Sequence, residues 1–189
     1  GVAKVTEDMK AAGIAVAPWV DTMISKGLSF YKVVDGKRYY YDVASSDYKL
    51  IPGSESFLIL SDFKEKTIWK NSACNLVDIG DGVAGFGWNT KMNSIGAEVL
   101  EGLNKSITIA EEKYNGLVIA NEGNLFSAGA NVGMIFMLAI EQDYEELDMA
   151  IRTFQNSMMR VRYSSIPVVV APHGLCLGGG CELNLHADS

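Results

Sequence analysis

The spacing of apolar positions after about residue 65 predicts strands that alternate with helices. Two β-prone stretches, TIWKNSACNLVDIG and GVAGFGWN, flank the pair Asp81-Gly82, which is typical of a turn. Residues 94–113 place most of their apolar side chains on one helical face, and residues 143–163 form a second amphipathic pattern. GLVIAN and IPVVVAP are short runs that are apolar on both faces, as in buried strands. CELNLHAD begins a last helix, so the order of elements predicts an α/β fold.

The first 62 residues have a different pattern and predict a small α+β appendage. Thr6 is a candidate N-cap for a short helix that ends at Gly13, and a second helix begins at Pro18. Asp35-Gly36 lies between two β-prone runs and predicts a hairpin. The serine- and glycine-containing stretch SSDYKLIPGSES is typical of a linker. We therefore place the boundary between the two parts after residue 62.

Composition and charge narrow the possible classes of function. The chain has 189 residues, 48% of them hydrophobic, and a formal charge of −7 without a basic block, which argues against a nucleic-acid-binding surface. The longest apolar run is too short to span a membrane. Three cysteines without paired spacing and two histidines argue against a zinc site and favour a reducing, cytoplasmic compartment. The chain starts and stops without terminal signals, so we expect it to be a segment of a longer protein.

Two glycine-containing loops, at 121–131 and 173–181, follow the two predicted buried strands. Ligands of open α/β sheets bind beyond the carboxyl ends of the strands, and each loop could present a backbone N–H to one ligand oxygen. Glu182 would then stand at a helix start beside a polarised group. The alternative is that the glycines form a tight turn and that Glu182 complements the helix dipole. Ser127 lacks a relay, and His173 is interpreted as a hydrogen-bond donor that orders its loop.

Three motifs in this region resemble the enoyl-CoA hydratase/isomerase (crotonase) family. They are FSAGAN at 126–131, IPVVVAPHGLCLGGGCELNLHAD at 166–188 and KMNSIGAEVLEGL at 91–103. The resemblance implies a crotonase-like (ClpP/crotonase) spiral of β-β-α units, incomplete here, in which residues 63–189 are the N-terminal part of the hydratase domain. Residues 1–62 resemble the tail and connector of a 3-hydroxyacyl-CoA dehydrogenase region.

The resemblance also implies roles for individual residues. The amides of Ala130 and Gly179 correspond to the two oxyanion-hole donors, and Glu182 corresponds to the first of two catalytic glutamates. The segments expected to line the acyl-CoA pocket contain Lys91, Met92, Asn93, Ala128, Gly129 and Asn131, the last in place of the commoner aspartate. The second glutamate and the family's trimerisation helices come later in the sequence, so we expect half an active site here and an inactive isolated chain.

The implied function is hydration of trans-2-enoyl-CoA in fatty-acid β-oxidation, within a dehydrogenase–hydratase fusion. The expected partner is an acyl-CoA thioester, without a metal, in a homo-oligomer; NAD is expected only for the dehydrogenase region outside this segment. An enoyl-CoA isomerase, or a non-catalytic module for CoA binding or oligomerisation, remains an alternative. A ClpP-type protease is disfavoured because no Ser/His pair lies at the loop ends.

Overall fold

The structure is a computed structural model that describes all 189 residues, which form two compact units, Gly1–Leu58 and Ile59–Ser189. The division lies after Leu58 and not after residue 62, because the first residues of the second unit pack on its own sheet. Leu60 occupies space left by two strand glycines: a side-chain carbon built at Gly85 or Gly87 would lie 2.6 or 2.9 Å from a Leu60 methyl carbon. Which domains the two segments come from stays a prediction.

The first unit contains two helices and a three-stranded antiparallel sheet. Its elements are α1 (Val2–Ala11), α2 (Pro18–Ser25), β1 (Tyr31–Val34), β2 (Lys37–Asp42), β3 (Asp47–Leu50) and a 3₁₀ helix (Ser54–Ser56), with sheet order β1-β2-β3. The predicted hairpin is confirmed: Asp35 and Gly36 have φ values of 50° and 72°, which fit the two central positions of a type I′ turn. Pro18 opens α2 as expected.

Two predictions for this unit are wrong. Thr6 is not an N-cap, because α1 begins at Val2 and Thr6 lies inside the helix, 5% exposed. The stretch read as a linker contains β3, whose Tyr48 pairs with Tyr41 of β2 and stacks edge-on against its ring at 5.6 Å. Cross-strand aromatic contacts stabilise sheets, and they outweigh the turn-like composition on either side of β3.

The second unit is an α/β layer structure built on a five-stranded mixed sheet. Its elements are a 3₁₀ helix (Leu60–Lys66), β4 (Thr67–Lys70), β5 (Cys74–Gly80), β6 (Val83–Trp88), a 3₁₀ helix (Lys91–Asn93), α3 (Ala97–Lys113), β7 (Gly116–Ala120), α4 (Val132–Glu141), α5 (Tyr144–Arg162), β8 (Val168–Ala171) and α6 (Gly179–His186). The sheet order is β4-β5-β6-β7-β8. The pairs β4/β5 and β5/β6 are antiparallel, whereas β6/β7 and β7/β8 are parallel.

The predicted α/β fold is confirmed, with β7 and β8 side by side and parallel, but β8 is buried on one face only, since Val169 and Ala171 are exposed. One strand prediction needs correction, because TIWKNSACNLVDIG forms β4 and β5 and not a single strand. Asn71 makes the turn between them: its Oδ1 accepts hydrogen bonds from the amides of Ala73 and Cys74 at 2.9 and 2.7 Å. Side-chain bonding of this kind closes a turn without glycine or proline.

The core lies between the sheet and helices α3, α5 and α6. Its fully buried side chains include Leu76, Phe86, Leu103, Ile107, Leu117, Ile119, Phe126, Met158, Val161 and Leu183. Helix α3 begins three residues later than predicted, and helix α4, which the sequence did not predict, buries none of its residues. No helix of this fold combines the length and apolar character needed to cross a membrane. The parallel pair brings the carboxyl ends of β7 and β8 to one edge of the sheet, where both glycine loops begin.

Candidate active site

The two glycine-containing loops are paired to each other beyond the ends of their strands. Ser127 and Cys176 form a parallel bridge, in which the Leu177 amide donates to the Ser127 carbonyl at 2.9 Å. The Phe126 amide donates to the Leu175 carbonyl at 3.0 Å. The loops therefore continue the parallel pairing of β7 and β8, which fixes their relative register.

A third segment, around residues 91–95, joins the same loops. The Ile95 amide donates to the Gly129 carbonyl at 2.8 Å, and the Ala128 amide donates to the Met92 carbonyl at 3.1 Å. All three motif segments singled out in the sequence thus meet at one edge of the sheet. Their proximity follows from the topology, since β6 and β7 are parallel neighbours.

The loop glycines allow the two backbones to touch. A side-chain carbon at Gly129 would lie 2.7 Å from the Leu177 carbonyl oxygen and 2.9 Å from the Gly179 nitrogen, and Gly129 has φ = 89°. Gly178 precedes α6 with φ = 48° and ψ = −123°, a conformation that residues with a side chain rarely adopt. The glycines at these two positions therefore allow the two loops to pack against each other, whether or not a ligand also approaches the backbone there.

The amides of Ala130 and Gly179 lie next to each other. A carbon built on Gly179 would be 3.4 Å from the Ala130 nitrogen, so ordinary bond lengths place the two nitrogens at most about 6 Å apart. Neither amide donates a hydrogen bond to a protein atom. Two N–H groups that share one oxygen at about 2.9 Å each are separated by no more than about 6 Å, so the pair has the spacing of a two-donor site.

Phe154 of α5 lies beside the Gly179 amide, and it was not identified from the sequence as a site residue. Its Cζ and Cε2 atoms would lie 2.5 and 2.9 Å from a side-chain carbon at Gly179. Phe154 is partly buried against the core. Its place on the apolar face of an amphipathic helix indicated only packing, because no sequence signal reports which residue a core side chain contacts.

Glu182 lies in the first turn of α6 and is exposed, while its neighbour Leu183 is 1% exposed. The Glu182 amide donates to the Gly178 carbonyl at 3.0 Å, which is the first turn's own bonding. The carboxylate therefore stands on the outer side of a helix whose N-terminal residue is Gly179. Its place in the first turn favours a negative charge, because the dipole of α6 is positive at that end.

The residues expected to line an acyl-CoA pocket fall into two groups. Lys91 and Met92 are exposed, Met92 by 60%. Asn93 is 7% exposed, and its Nδ2 donates to the carbonyls of Glu122 and Leu125, each at 2.9 Å. Its side chain is thus committed to the protein interior.

Asn131 caps the helix that follows it, and His173 joins the 173–181 loop to the 121–131 loop. The Asn131 side chain caps α4, because its Oδ1 accepts from the Met134 amide at 3.3 Å. His173 Nε2 lies 3.0 Å from the Gly123 carbonyl, which can only accept, so the ring nitrogen donates. The prediction that His173 orders its loop is confirmed.

A cavity of about 470 Å³ opens near this edge but does not contain the two amides or Glu182. It lies between the 3₁₀ helix at 60–66, the β4–β5 turn and the ends of β6 and β7, and Leu60, Asn75 and Trp88 are among its lining residues. The predicted site residues lie outside this cavity, and Asn93, Gly129 and Gly179 are buried by the surrounding loops.

Sequence comparison identifies a matching family and several relatives. Residues 82–189 match the family model described as enoyl-CoA hydratase/isomerase. The chain is 37% identical over 190 residues to a Bacillus subtilis (strain 168) protein named as a 3-hydroxyacyl-CoA dehydrogenase, covering 99% of this chain and 24% of that protein. It is 31% identical to a Rickettsia prowazekii protein named as a fatty acid oxidation complex trifunctional enzyme, covering 77% of this chain and 20% of that protein. The chain thus spans about a quarter or less of these relatives.

Solved structures support the crotonase-like fold. A Streptomyces coelicolor A3(2) protein described as an enoyl-CoA hydratase aligns with a TM-score of 0.55 and 27% identity, over 64% of this chain and 48% of the other. An enoyl-CoA hydratase from Bacillus anthracis aligns with a TM-score of 0.56 and 24% identity, over 62% of this chain and 46% of the other. The fold similarity therefore covers about half of each of these structures.

Proposed function

Because this chain belongs to the enoyl-CoA hydratase/isomerase family, we propose that it supplies the oxyanion-binding half of a site that hydrates trans-2-enoyl-CoA thioesters. The observation that carries the proposal is the pair of neighbouring amides at Ala130 and Gly179, neither of which has a protein acceptor. A thioester oxygen bound between them would receive two hydrogen bonds from groups that need not reorganise during the reaction.

The proposed reaction moves negative charge towards these amides. A base removes a proton from water, the water oxygen bonds to Cβ of the enoyl group, and the π electrons shift onto the thioester oxygen. Protonation at Cα then returns the charge and completes the addition. Loss of one such donor typically lowers kcat by about 10²–10³-fold, so two fixed amides would contribute much of the rate enhancement.

Glu182 is proposed as one of the two carboxylates that hold and deprotonate the water. It is exposed and lies in the first turn of the helix whose first amide is the Gly179 donor. A positioned acid or base contributes about 10²–10⁴-fold in rate. We propose that the second carboxylate comes from another segment of a longer protein, since this chain spans about a quarter or less of its relatives.

The wider context is also a proposal. The relatives named for dehydrogenase and fatty acid oxidation support a role in β-oxidation, within a chain that also carries a 3-hydroxyacyl-CoA dehydrogenase. We propose a cytoplasmic homo-oligomer, in keeping with three cysteines that form no disulfide. An acyl-CoA thioester is the proposed substrate.

The test is the variant Glu182→Gln in the full-length protein, with Glu145→Gln as the matched control. Glu145 is likewise an exposed acid in the first turn of a helix, α5. We expect Glu182→Gln to lower kcat for crotonyl-CoA by about two orders of magnitude or more while leaving binding of the CoA ester nearly unchanged. Glu145→Gln should leave kcat unchanged.

If Glu182 only complements the helix dipole, both variants will change stability by about 0.3–1 kcal/mol and neither will change kcat. That result would remove Glu182 from the proposed chemistry. Turnover of a 3-enoyl-CoA to the 2-enoyl isomer, without hydration, would favour the isomerase alternative.

A further inference from the structure

We propose that Ser127 is the residue that positions the two oxyanion-binding amides, although it touches no substrate itself. This inference rests on the proposed function, since it assigns a role within the same site. Ser127 is 0% exposed, so it can act only through the residues around it. Its contacts reach both amide-bearing loops and the segment at 91–95.

The Ser127 hydroxyl joins two of these three segments. Its O–H donates to the Asn93 carbonyl at 2.7 Å, and its oxygen accepts from the Gly129 amide at 3.0 Å. The Gly129 amide belongs to the residue directly before Ala130. Fixing the Gly129 peptide restricts the orientation of the following Ala130 amide, because the connecting backbone has only two soft dihedral angles per residue.

The rest of Ser127 contacts the second loop. Its carbonyl accepts from the Leu177 amide at 2.9 Å. A side-chain carbon at Gly180 would lie 2.8 Å from Ser127 Cβ and 3.2 Å from Ser127 Oγ. The first turn of α6, which carries the Gly179 amide, is thus seated directly on Ser127.

The acceptor of the Ser127 hydroxyl is itself held in place. The Asn93 carbonyl also accepts from Trp88 Nε1 at 2.9 Å, and Asn93 adopts φ = 49°. Its side chain is bound to two further carbonyls in the 121–125 loop. Because the Asn93 carbonyl is itself held in place, the Ser127 hydroxyl bonded to it can hold the Ala130 amide in a fixed position. Small displacements of catalytic groups cause large losses of rate.

The experiment compares Ser127→Ala with Ser106→Ala in the full-length protein. Ser106 is an equally buried serine on α3, 0% exposed, whose hydroxyl has no hydrogen-bond partner, so it matches the size and burial of the change. Crotonyl-CoA hydration gives kcat and KM, and amide hydrogen exchange with mass spectrometry follows the peptides that contain 127–131 and 176–180.

Ser127→Ala is expected to lower kcat at least about tenfold with KM within about twofold, and to speed exchange in both peptides. Ser106→Ala should change neither. Ser127→Cys keeps a weak donor of similar shape and should show a smaller loss of kcat; it also serves if the alanine variant does not fold.

Faster exchange in Ser127→Ala with an unchanged kcat would overturn the proposal, since Ser127 would then only stabilise the loops. Unchanged exchange in both peptides would overturn it as well. If the wild-type protein does not hydrate crotonyl-CoA, the proposed function fails, and the exchange data still decide whether Ser127 holds the two loops.

Discussion

Gly179→Ala is the substitution for which the structure gives the sharpest expectation. The new methyl carbon would lie 2.5 Å from Phe154 Cζ and 3.4 Å from the Ala130 nitrogen. Carbon atoms pack at about 3.5–4.0 Å, so the ring of Phe154 must move by about 1 Å. Gly179 does not have a positive φ, so the backbone itself tolerates alanine. The expected effects therefore arise from contacts alone.

Two separate effects follow from those contacts. Overpacking against Phe154 should lower the free energy of unfolding by about 1–3 kcal/mol. The methyl group also occupies the space between the Ala130 and Gly179 amides, where the thioester oxygen is proposed to bind. Losing that hydrogen bonding should lower kcat by about 10²-fold or more.

A double-mutant cycle with Phe154→Leu separates the two effects. Leucine removes the ring-edge atoms that a methyl group at 179 would meet, so the double variant should recover stability by about 1 kcal/mol relative to the sum of the single changes. Its kcat should stay as low as that of Gly179→Ala, because the methyl group is still beside the amides. Urea unfolding and crotonyl-CoA hydration on the full-length protein measure the two quantities.

The control is Gly116→Ala, at the start of β7, which is the end of that strand away from the two loops. Gly116 is also buried, and its added carbon would meet only the Pro167 carbonyl oxygen at an ordinary 3.5 Å. It should leave kcat unchanged and alter stability by less than about 1 kcal/mol. Recovery of kcat together with stability in the Gly179/Phe154 double variant would refute the reasoning, since the methyl group would then not obstruct the oxygen.

Two further expectations concern stability and the isolated chain. A hydrogen-bonded ion pair with Arg160 lowers the pKa of Glu111 to about 2 from its ordinary 4.5, so its stabilising effect is present above pH 4.5 and is lost as the pH falls towards 2. The loss of unfolding free energy caused by Glu111→Gln, measured by urea unfolding, should therefore shrink as the pH falls from 4.5 to about 2. A loss that does not change with pH, or the same pH dependence for Glu112→Gln at the exposed neighbour, would contradict this. The purified 189-residue chain should not hydrate crotonyl-CoA, and it should self-associate in sedimentation experiments. Self-association is expected because α4 exposes Val132 and Phe136, by 71% and 63%. Turnover of crotonyl-CoA, or a monomer in sedimentation, would contradict the expectation that this chain holds half an active site.

The sequence predicted those parts of the fold that depend on local patterns. Asp35-Gly36 and Asp81-Gly82 form the expected turns, and all four residues have positive φ. The amphipathic patterns of α3 and α5 were also sufficient to predict these helices, because a long stripe of apolar residues at helical spacing fits few other structures. Short apolar runs identified β7 and β8 as strands, although one face of β8 is exposed.

Elements whose stability comes from distant contacts were predicted poorly. β3 forms within a linker-like composition because Tyr48 pairs with Tyr41. The turn between β4 and β5 depends on one side chain, Asn71, bonding two amides. Helix α4 is apolar nearly all round and has no fully buried residue, so the spacing of its apolar residues gave no single face by which to recognise it.

For the candidate site, the sequence by itself determined the residues that bear the motifs and the family to which they belong. The glycine-containing loops and the place of Glu182 near a helix start were visible in the residue pattern, whereas the roles of Ala130 and Gly179 followed only from the resemblance to the family. Tertiary structure decided that the two amides lie within about 6 Å of each other, that Phe154 borders them and that Ser127 contacts both loops. These are distances between segments about 25 to 50 residues apart in the chain. They arise from parallel strand pairing and close packing, which residue types and spacing do not specify.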